Sequence, residues 1–252
     1  MEHMYERKFE LTDVYNDGYG RLAPHMILYM MQETAGDHCK ILGVDAPNLG
    51  NMFWAVLRYR VEVTRMPKLG QTITVRTWPM PTTRSCFPRA AEFYDEQGEC
   101  LIRLVSLWVL MDKDSRQMVL PSKCGIQVPG VLTGTELEIP AGVKARVVTA
   151  RLTARLVTEY EIDANQHMNN ASYISWAVEA TPRFYEKEHE LRSFTACYFS
   201  EAKYDDELAL CWTVTDDSVY MDSYRINGDE VDRGDRVFAT EMKFERIMKH
   251  VM

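Results

Sequence analysis

The sequence predicts an α+β protein made of two similar halves, each a long helix followed by antiparallel strands that wrap it. Three observations carry this. A stretch rich in proline and glycine divides the chain near its middle, the hydrophobic period switches from 3.6 to 2 in each half, and the chain matches itself at an offset of 146.

The dividing stretch is PSKCGIQVPGVLTGTELEIPAGVKARVVTA, with Pro121, Gly125, Pro129, Gly130, Gly134, Pro140 and Gly142 and no sustained period. It sets the expected organisation: a first domain over 1–122, a linker or crossover over 123–150, and a second domain over 151–252. The offset places Asp17 on Asp163 and Glu33 on Glu179, with an amphipathic stretch between them in both copies.

The first of these stretches, APHMILYMMQETAGDHCKILG, has Pro24 near the first helical position. Ile27, Met30, Met31, Thr34 and Ala35 follow at helical spacing, and Gly43 is a stop. The second, MNNASYISWAVEATP, has Asn169 or Asn170 as its N-cap, an apolar face of Tyr173, Ile174, Ala177 and Val178, and Pro182 near its end. Strands follow each helix. LRYRVEV, QTITVRTW and ELALCWTV alternate as half-buried antiparallel strands do, LIRLVSLWVLM is apolar on both faces and reads as a central strand, and DRVFATEMKFERI closes the second sheet. Asp95-Glu96-Gln97-Gly98 and Asn227-Gly228 supply hairpin turns.

Composition narrows the function. With 46% hydrophobic and 26% charged residues the chain is globular rather than disordered. No window offers the roughly 18 uncharged apolar residues of a membrane span, and the start, MEHMYERKFELTD, is charged where a signal peptide would be apolar. A cytoplasmic protein is expected. Cys39, Cys86, Cys100, Cys124, Cys197 and Cys211 form no CxxC pair and read as reduced packing residues, and no structural metal is expected.

A net charge of −8 argues against nucleic acid as a partner. Even so, the segment from Arg58 to Arg89 holds Arg58, Arg60, Arg65, Lys68, Arg76, Arg84 and Arg89 against one acid, Glu62, a local charge of +6. These cations either keep exposed strand faces soluble or form a landing surface for an acidic partner.

The most informative segment is EYEIDANQHMNN, residues 159–170. Asp163, Asn165 and His167 alternate, so an extended approach to the second helix would project all three to one side. There they would meet the unpaired N–H groups of the helix N-terminus, a place where an oxyanion could be stabilised. Residues of these types before a helix are also ordinary capping chemistry.

DANQHMNNASYISWAVEATP resembles the DxNxHxNNxxYxxWxxE segment of the acyl-acyl carrier protein thioesterases of plants and bacteria. The resemblance runs through nearly the whole chain, including MQETAGDHCKILGVD, FWAVLRYRVEVTRMPKLGQTITVRTW, LVSLWVLMDKDSRQMVLP and HELRSFTACYFSEAKYDDEL. It implies a tandem (double) hotdog, no metal, no organic cofactor, and hydrolysis of an acyl thioester by activated water. It further implies catalytic roles for Asp163, Asn165, His167 and Glu201. Where plant members place a cysteine after that glutamate this chain has Ala202, so a covalent cysteine there is excluded.

The resemblance also points to the first half for acyl-chain selection, where Met26, Met30, Met31 and Trp54 could line an apolar slot. Arg58, Arg60, Arg65 and Lys68 are the candidate surface for acyl carrier protein, and a homodimer is possible. Competing readings are an acyl-CoA thioesterase, an enoyl-thioester hydratase of the same fold, and a non-catalytic acyl-binding regulator. The 146 offset sets Tyr19 against Asn165 and Arg21 against His167, so one working centre per chain is expected.

Overall fold

The computed structural model describes residues 3–145, 151–181, 188–227 and 230–247. The chain forms two compact units, Met1–Pro140 and Ala141–Met252. The first contains β1 (Tyr5–Glu10), α1 (Pro24–Ile41), β2 (Met52–Val63), β3 (Thr72–Pro79), β4 (Phe87–Tyr94), β5 (Cys100–Asp112) and the short β6 (Met118–Val119). Its strands pair antiparallel in the order β1-β3-β4-β5-β2, with β6 on β5.

Pro24 opens α1, and Ile27, Leu28, Met30, Met31, Thr34, Ala35 and His38 form its buried stripe against β1 and β3. Each aliphatic side chain so buried stabilises the unit by roughly 1.5–3 kcal/mol. The helix stops at Leu42, and Gly43 takes the left-handed conformation that lets the chain turn back. The turn at Asp95–Gly98 joins β4 to β5 as expected, its amides held by the Asp95 carboxylate.

The proline- and glycine-rich stretch is shared between the units rather than standing free. Val131 N–H donates to the Pro79 carbonyl at 2.9 Å, Trp78 Nε1 donates to Glu136 at 2.9 Å, and Cys124, Ile126 and Val128 pack on the core of Leu49, Phe87 and Leu110. Isolated apolar residues between breakers have no period to read, yet they bury well as a strap. The segment up to Pro140 therefore belongs to the first unit.

The second unit holds β7 (Arg151–Leu156), α2 (Asn170–Ala180), β8 (His189–Tyr198), β9 (Glu207–Val214), β10 (Ser218–Asn227) and β11 (Glu230–Arg246). The strand order is β8-β11-β10-β9-β7, all antiparallel. Asn169 caps α2 by accepting from Ala171 N–H at 2.9 Å, and Tyr173, Ile174, Trp176 and Ala177 are buried, with Tyr173 stacked on Phe238 at 4.9 Å. Pro182 and Gly228, expected at a helix end and a turn, lie outside the described residues. No described helix is long and apolar enough to cross a membrane.

Candidate functional site

The segment from Glu159 to Asn170 does not run extended. Glu159–Glu161 is a 3-10 turn closed by a capping box, in which Thr158 and Glu161 each bond the other's backbone. Ile162 then pairs antiparallel with Met168, and the five residues between them form a tight loop. Asp163 N–H donates to the His167 carbonyl at 2.8 Å, and Asp163 Oδ1 accepts from the N–H of Asn165 at 2.8 Å and of His167 at 3.3 Å. The short aspartate side chain reaches its own backbone two and four residues on, an alternative to the strand that alternation predicted. Gln166 closes the loop at φ 64.

The first unit builds the same loop 146 residues earlier. Asn16 bridges Leu22, Asp17 N–H donates to the Arg21 carbonyl at 2.9 Å, and Asp17 Oδ1 accepts from Tyr19 and Arg21 N–H at 2.8 and 3.0 Å. Gly20 at φ 77 stands where Gln166 stands. Arg21 replaces the histidine and its Nε is tied to Asp17 at 2.7 Å. The aspartate therefore does the same backbone work in a loop that lacks the imidazole.

In the second unit the loop delivers His167 to Glu201: Nε2 lies 3.2 Å from Oε2. The imidazole side chain is 15% exposed and the carboxylate 35%, so the pair is largely covered by protein yet open to water. Glu201 follows β8, and two bonds fix it against the loop. Met168 N–H donates to the Ala202 carbonyl at 2.8 Å, and Arg225 Nη2 donates to the Glu201 carbonyl at 2.8 Å. Arg225 is itself anchored by Asp206 and Asp235 at 2.5 and 2.9 Å. No spacing in the sequence marked Arg225, because it lies on a strand far from both segments.

Asn165 sits exposed at the loop tip and Asp163 is half-buried behind it. The α2 N-terminus is partly in use, since Asn169 takes Ala171 N–H through its side chain and Ser172 N–H through its carbonyl. Cys197 is buried and its sulfur accepts from Val143 N–H at 3.2 Å. Glu33 pairs with Arg7 and Glu179 with Arg155, both as exposed bridges. Arg155 also stacks on Trp176 at 4.5 Å, and Trp176 Nε1 donates to Glu161, so the capping box, the helix and β7 are tied together. Thr158 and Glu161, three residues apart, were the legible sequence signal of this support.

The basic segment changes character in space. Arg60 pairs with Glu62, Arg65 with Asp95 and Glu99, and Arg76 with Glu6, while Arg89 is buried. Arg58 donates to the Pro140 carbonyl at 3.3 Å, and Lys68 and Arg84 are exposed. Acids distant in sequence thus neutralise much of the local +6.

A cavity of about 430 Å³ in the first unit is bordered by Gln32, Cys39, Trp54, Phe87, Arg89 and Trp108, among others. Of the four residues expected to line an apolar slot, Trp54 lies on its wall, and Met26, Met30 and Met31 do not line it. Met30 and Met31 share the buried stripe with Ile27 and Thr34, and the cavity uses the neighbouring stripe of Gln32, Gly36 and Cys39, about 100° round the helix. Among the described residues no group of three or more His, Cys, Asp or Glu could hold a metal ion.

Solved structures share this architecture. An acyl-ACP thioesterase from Bacteroides thetaiotaomicron superposes with a TM-score of 0.82 at 22% identity, covering 96% of this chain and 98% of that one. The 12:0-ACP thioesterase from Umbellularia californica gives 0.80 at 22% identity, covering 97% and 98%. The palmitoyl-acyl carrier protein thioesterase of Cuphea hookeriana is 30% identical over 218 residues, 79% of this chain and 52% of that protein; the cotton (Gossypium hirsutum) protein of the same name is 29% identical over 202 residues, 74% and 49%. This chain spans about half the length of these two relatives. By its fold it is a tandem hotdog protein, with a polar centre in the second unit. The model of the acyl-ACP thioesterase N-terminal domain matches residues 2–121 and that of the C-terminal domain residues 148–246. The chain belongs to the acyl-ACP thioesterase family.

Proposed function

We propose that the chain hydrolyses the thioester of a fatty acyl group carried on acyl carrier protein and releases the free acid. The observation that carries this reading is the contact between His167 Nε2 and Glu201 Oε2 at 3.2 Å, a pair in the second unit that water can reach. A thiol leaves with an ordinary pKa near 8.5, so expelling it needs little acid assistance; what the reaction needs is a better nucleophile and a stabilised oxyanion.

In this reading Glu201 orients and deprotonates the attacking water. His167 holds that carboxylate and donates to the developing oxyanion or relays the proton. Asn165 positions the water or the thioester carbonyl. Asp163 keeps the loop closed through its two backbone hydrogen bonds and so sets where Asn165 and His167 stand. Ala202 and the buried Cys197 give no support to an acyl-enzyme on cysteine.

For the carrier protein, exposed Lys68 with Arg58 supplies the cations left for an acidic partner, while Arg60 and Arg65 are engaged within the chain. Trp54 is kept as the acyl-slot residue. The experiment is a comparison of one acyl group on carrier protein and on coenzyme A, with water addition to an enoyl thioester assayed alongside. Release of acid from carrier protein at the higher kcat/KM supports the reading; preference for coenzyme A, or hydration alone, refutes it.

A further inference from the structure

We propose that Arg225 is the positioning residue for the Glu201 carboxylate: by gripping the turn that carries Glu201, directly and through Asp206 and Asp235, it sets where the attacking water is held. The inference rests on the assignment of Glu201 as general base. β8 ends at Tyr198, so Glu201 stands beyond the ladder that fixes the strand. Backbone outside a ladder is held only as well as its other bonds allow, and the aim of a long side chain depends on a fixed backbone beneath it.

The three nitrogens of the Arg225 guanidinium go to three different residues. Nη2 donates to the Glu201 carbonyl at 2.8 Å, Nη1 to Asp206 Oδ2 at 2.5 Å and Nε to Asp235 Oδ2 at 2.9 Å. Both acids also reach back to the turn. Asp206 Oδ2 accepts from Lys203 N–H at 2.8 Å, and Asp235 Oδ1 accepts from Ser200 Oγ at 3.3 Å. One cluster therefore holds Ser200, Glu201 and Lys203, with the arginine at its centre. The rigid planar fork of arginine can serve three oxygens at once, which the single ammonium of lysine does not reproduce.

The backbone is shaped for this contact. The β10–β11 ladder slips register between Ser223 and Tyr224 and again between Tyr224 and Ile226, and irregularities of that kind re-aim the side chains they carry. Asp205 takes φ 69, which aspartate tolerates better than most residues, and Asp206 N–H closes the turn on the Lys203 carbonyl at 3.1 Å. The arginine side chain is 23% exposed and the two carboxylates 28% and 36%, and ion pairs so exposed add little to stability one by one. What these add is fixed geometry at residues 200–203.

The test is a double-variant cycle on the full chain, using the fatty acyl carrier protein that the unaltered chain hydrolyses fastest. Arg225→Met should lower kcat by about 100-fold, as expected when a reacting group is misplaced by about 1 Å, and leave KM within about threefold. In a Glu201→Ala background the same substitution should lower kcat by less than about twofold, because the group it positions is already gone. Arg225→Lys, which keeps the charge without the fork, should recover part of the loss. Amide exchange at Lys203 and Met168 should quicken in Arg225→Met, a readout independent of turnover. Equal losses with and without Glu201, or a folded Arg225→Met with kcat within about threefold of the unaltered chain, would overturn the proposal. If Arg225→Met does not fold, Arg225→Lys carries the same cycle: a loss that vanishes without Glu201 supports the proposal, and an additive loss or full turnover overturns it. Retained turnover in Glu201→Ala alone refutes the general-base reading and this proposal with it, whereas an impaired Glu201→Ala beside an active Arg225→Met refutes only the proposal.

Discussion

Replacing Asp163 separates a positioning role from a chemical one. Its Oδ1 accepts from Asn165 N–H at 2.8 Å and from His167 N–H at 3.3 Å. Hydrogen bonds to a charged group contribute about 1.5–3 kcal/mol each when buried. Here the group is half-buried and the second bond is long, so the pair is worth about 2 kcal/mol. Asp163→Ala should therefore shift the balance between closed and open loop by roughly thirtyfold. Asparagine keeps the accepting oxygen, so Asp163→Asn should hold the loop and retain turnover within about tenfold of the native chain.

Turnover on acyl carrier protein, thermal unfolding, and hydrogen exchange at the Asn165 and His167 amides measure all three expectations. Asp17→Ala is the control. Its aspartate does the same work and also pairs with Arg21 at 2.7 Å, so that variant should lose at least as much stability with less effect on turnover. An Asp163→Asn protein with protected amides but activity as low as Glu201→Ala would refute the positioning role and make the carboxylate a reacting group.

Glu201→Ala should lower turnover by about 100- to 10,000-fold while Tm moves by no more than about 2 °C, because the side chain is 35% exposed and supports little packing; retained turnover in a folded variant ends the general-base assignment. Gln166, at φ 64, should accept glycine with little change in Tm, since about 1 kcal/mol of relieved strain is offset by the freedom glycine gains when unfolded. Gln166→Val should cost about 1–2 kcal/mol, and equal Tm values for the two variants would deny the strain. Burial pushes the Glu136 carboxyl up, but donors from Thr133, its own N–H and Trp78 outweigh that and hold it down at about 2. A depressed carboxyl contributes stability above its unfolded pKa, and that contribution is lost as pH falls from about 4.5 towards 2. Solvent screening of a half-buried group leaves about 1–2 kcal/mol, so Glu136→Gln should flatten acid unfolding over that window; an unchanged profile would contradict the pairing.

Much of the fold was legible because its signals are local. Pro24, Gly43 and the stripe from Ile27 to Ala35 define α1 within one segment, as Asn169 and the Tyr173–Ile174–Ala177 face define α2. The alternation of β2 and β3 is likewise internal to each strand, whereas β9, whose sequence alternates, buries Leu208, Ala209, Leu210 and Cys211 in succession and leaves Trp212 and Val214 half-buried. β1 was silent because YERKFE buries only Phe9, and β4 because it buries Arg89 and Glu92, residues that read as solvent-facing.

The sequence by itself also determined the duplication and the identity of Asp163, Asn165, His167 and Glu201 as the residues to watch. Tertiary structure alone decided what they do to one another. It folded the Asp163–His167 segment into a loop around the aspartate, set Glu201 beside His167 through Arg225 and Ala202, paired Arg65 with Asp95 and Arg76 with Glu6, and left Arg89 facing an apolar cavity. The physical reason is range: a cap or a hydrophobic period is settled within a few residues, whereas an ion pair or a cavity depends on strand register across the sheet, which no single segment encodes.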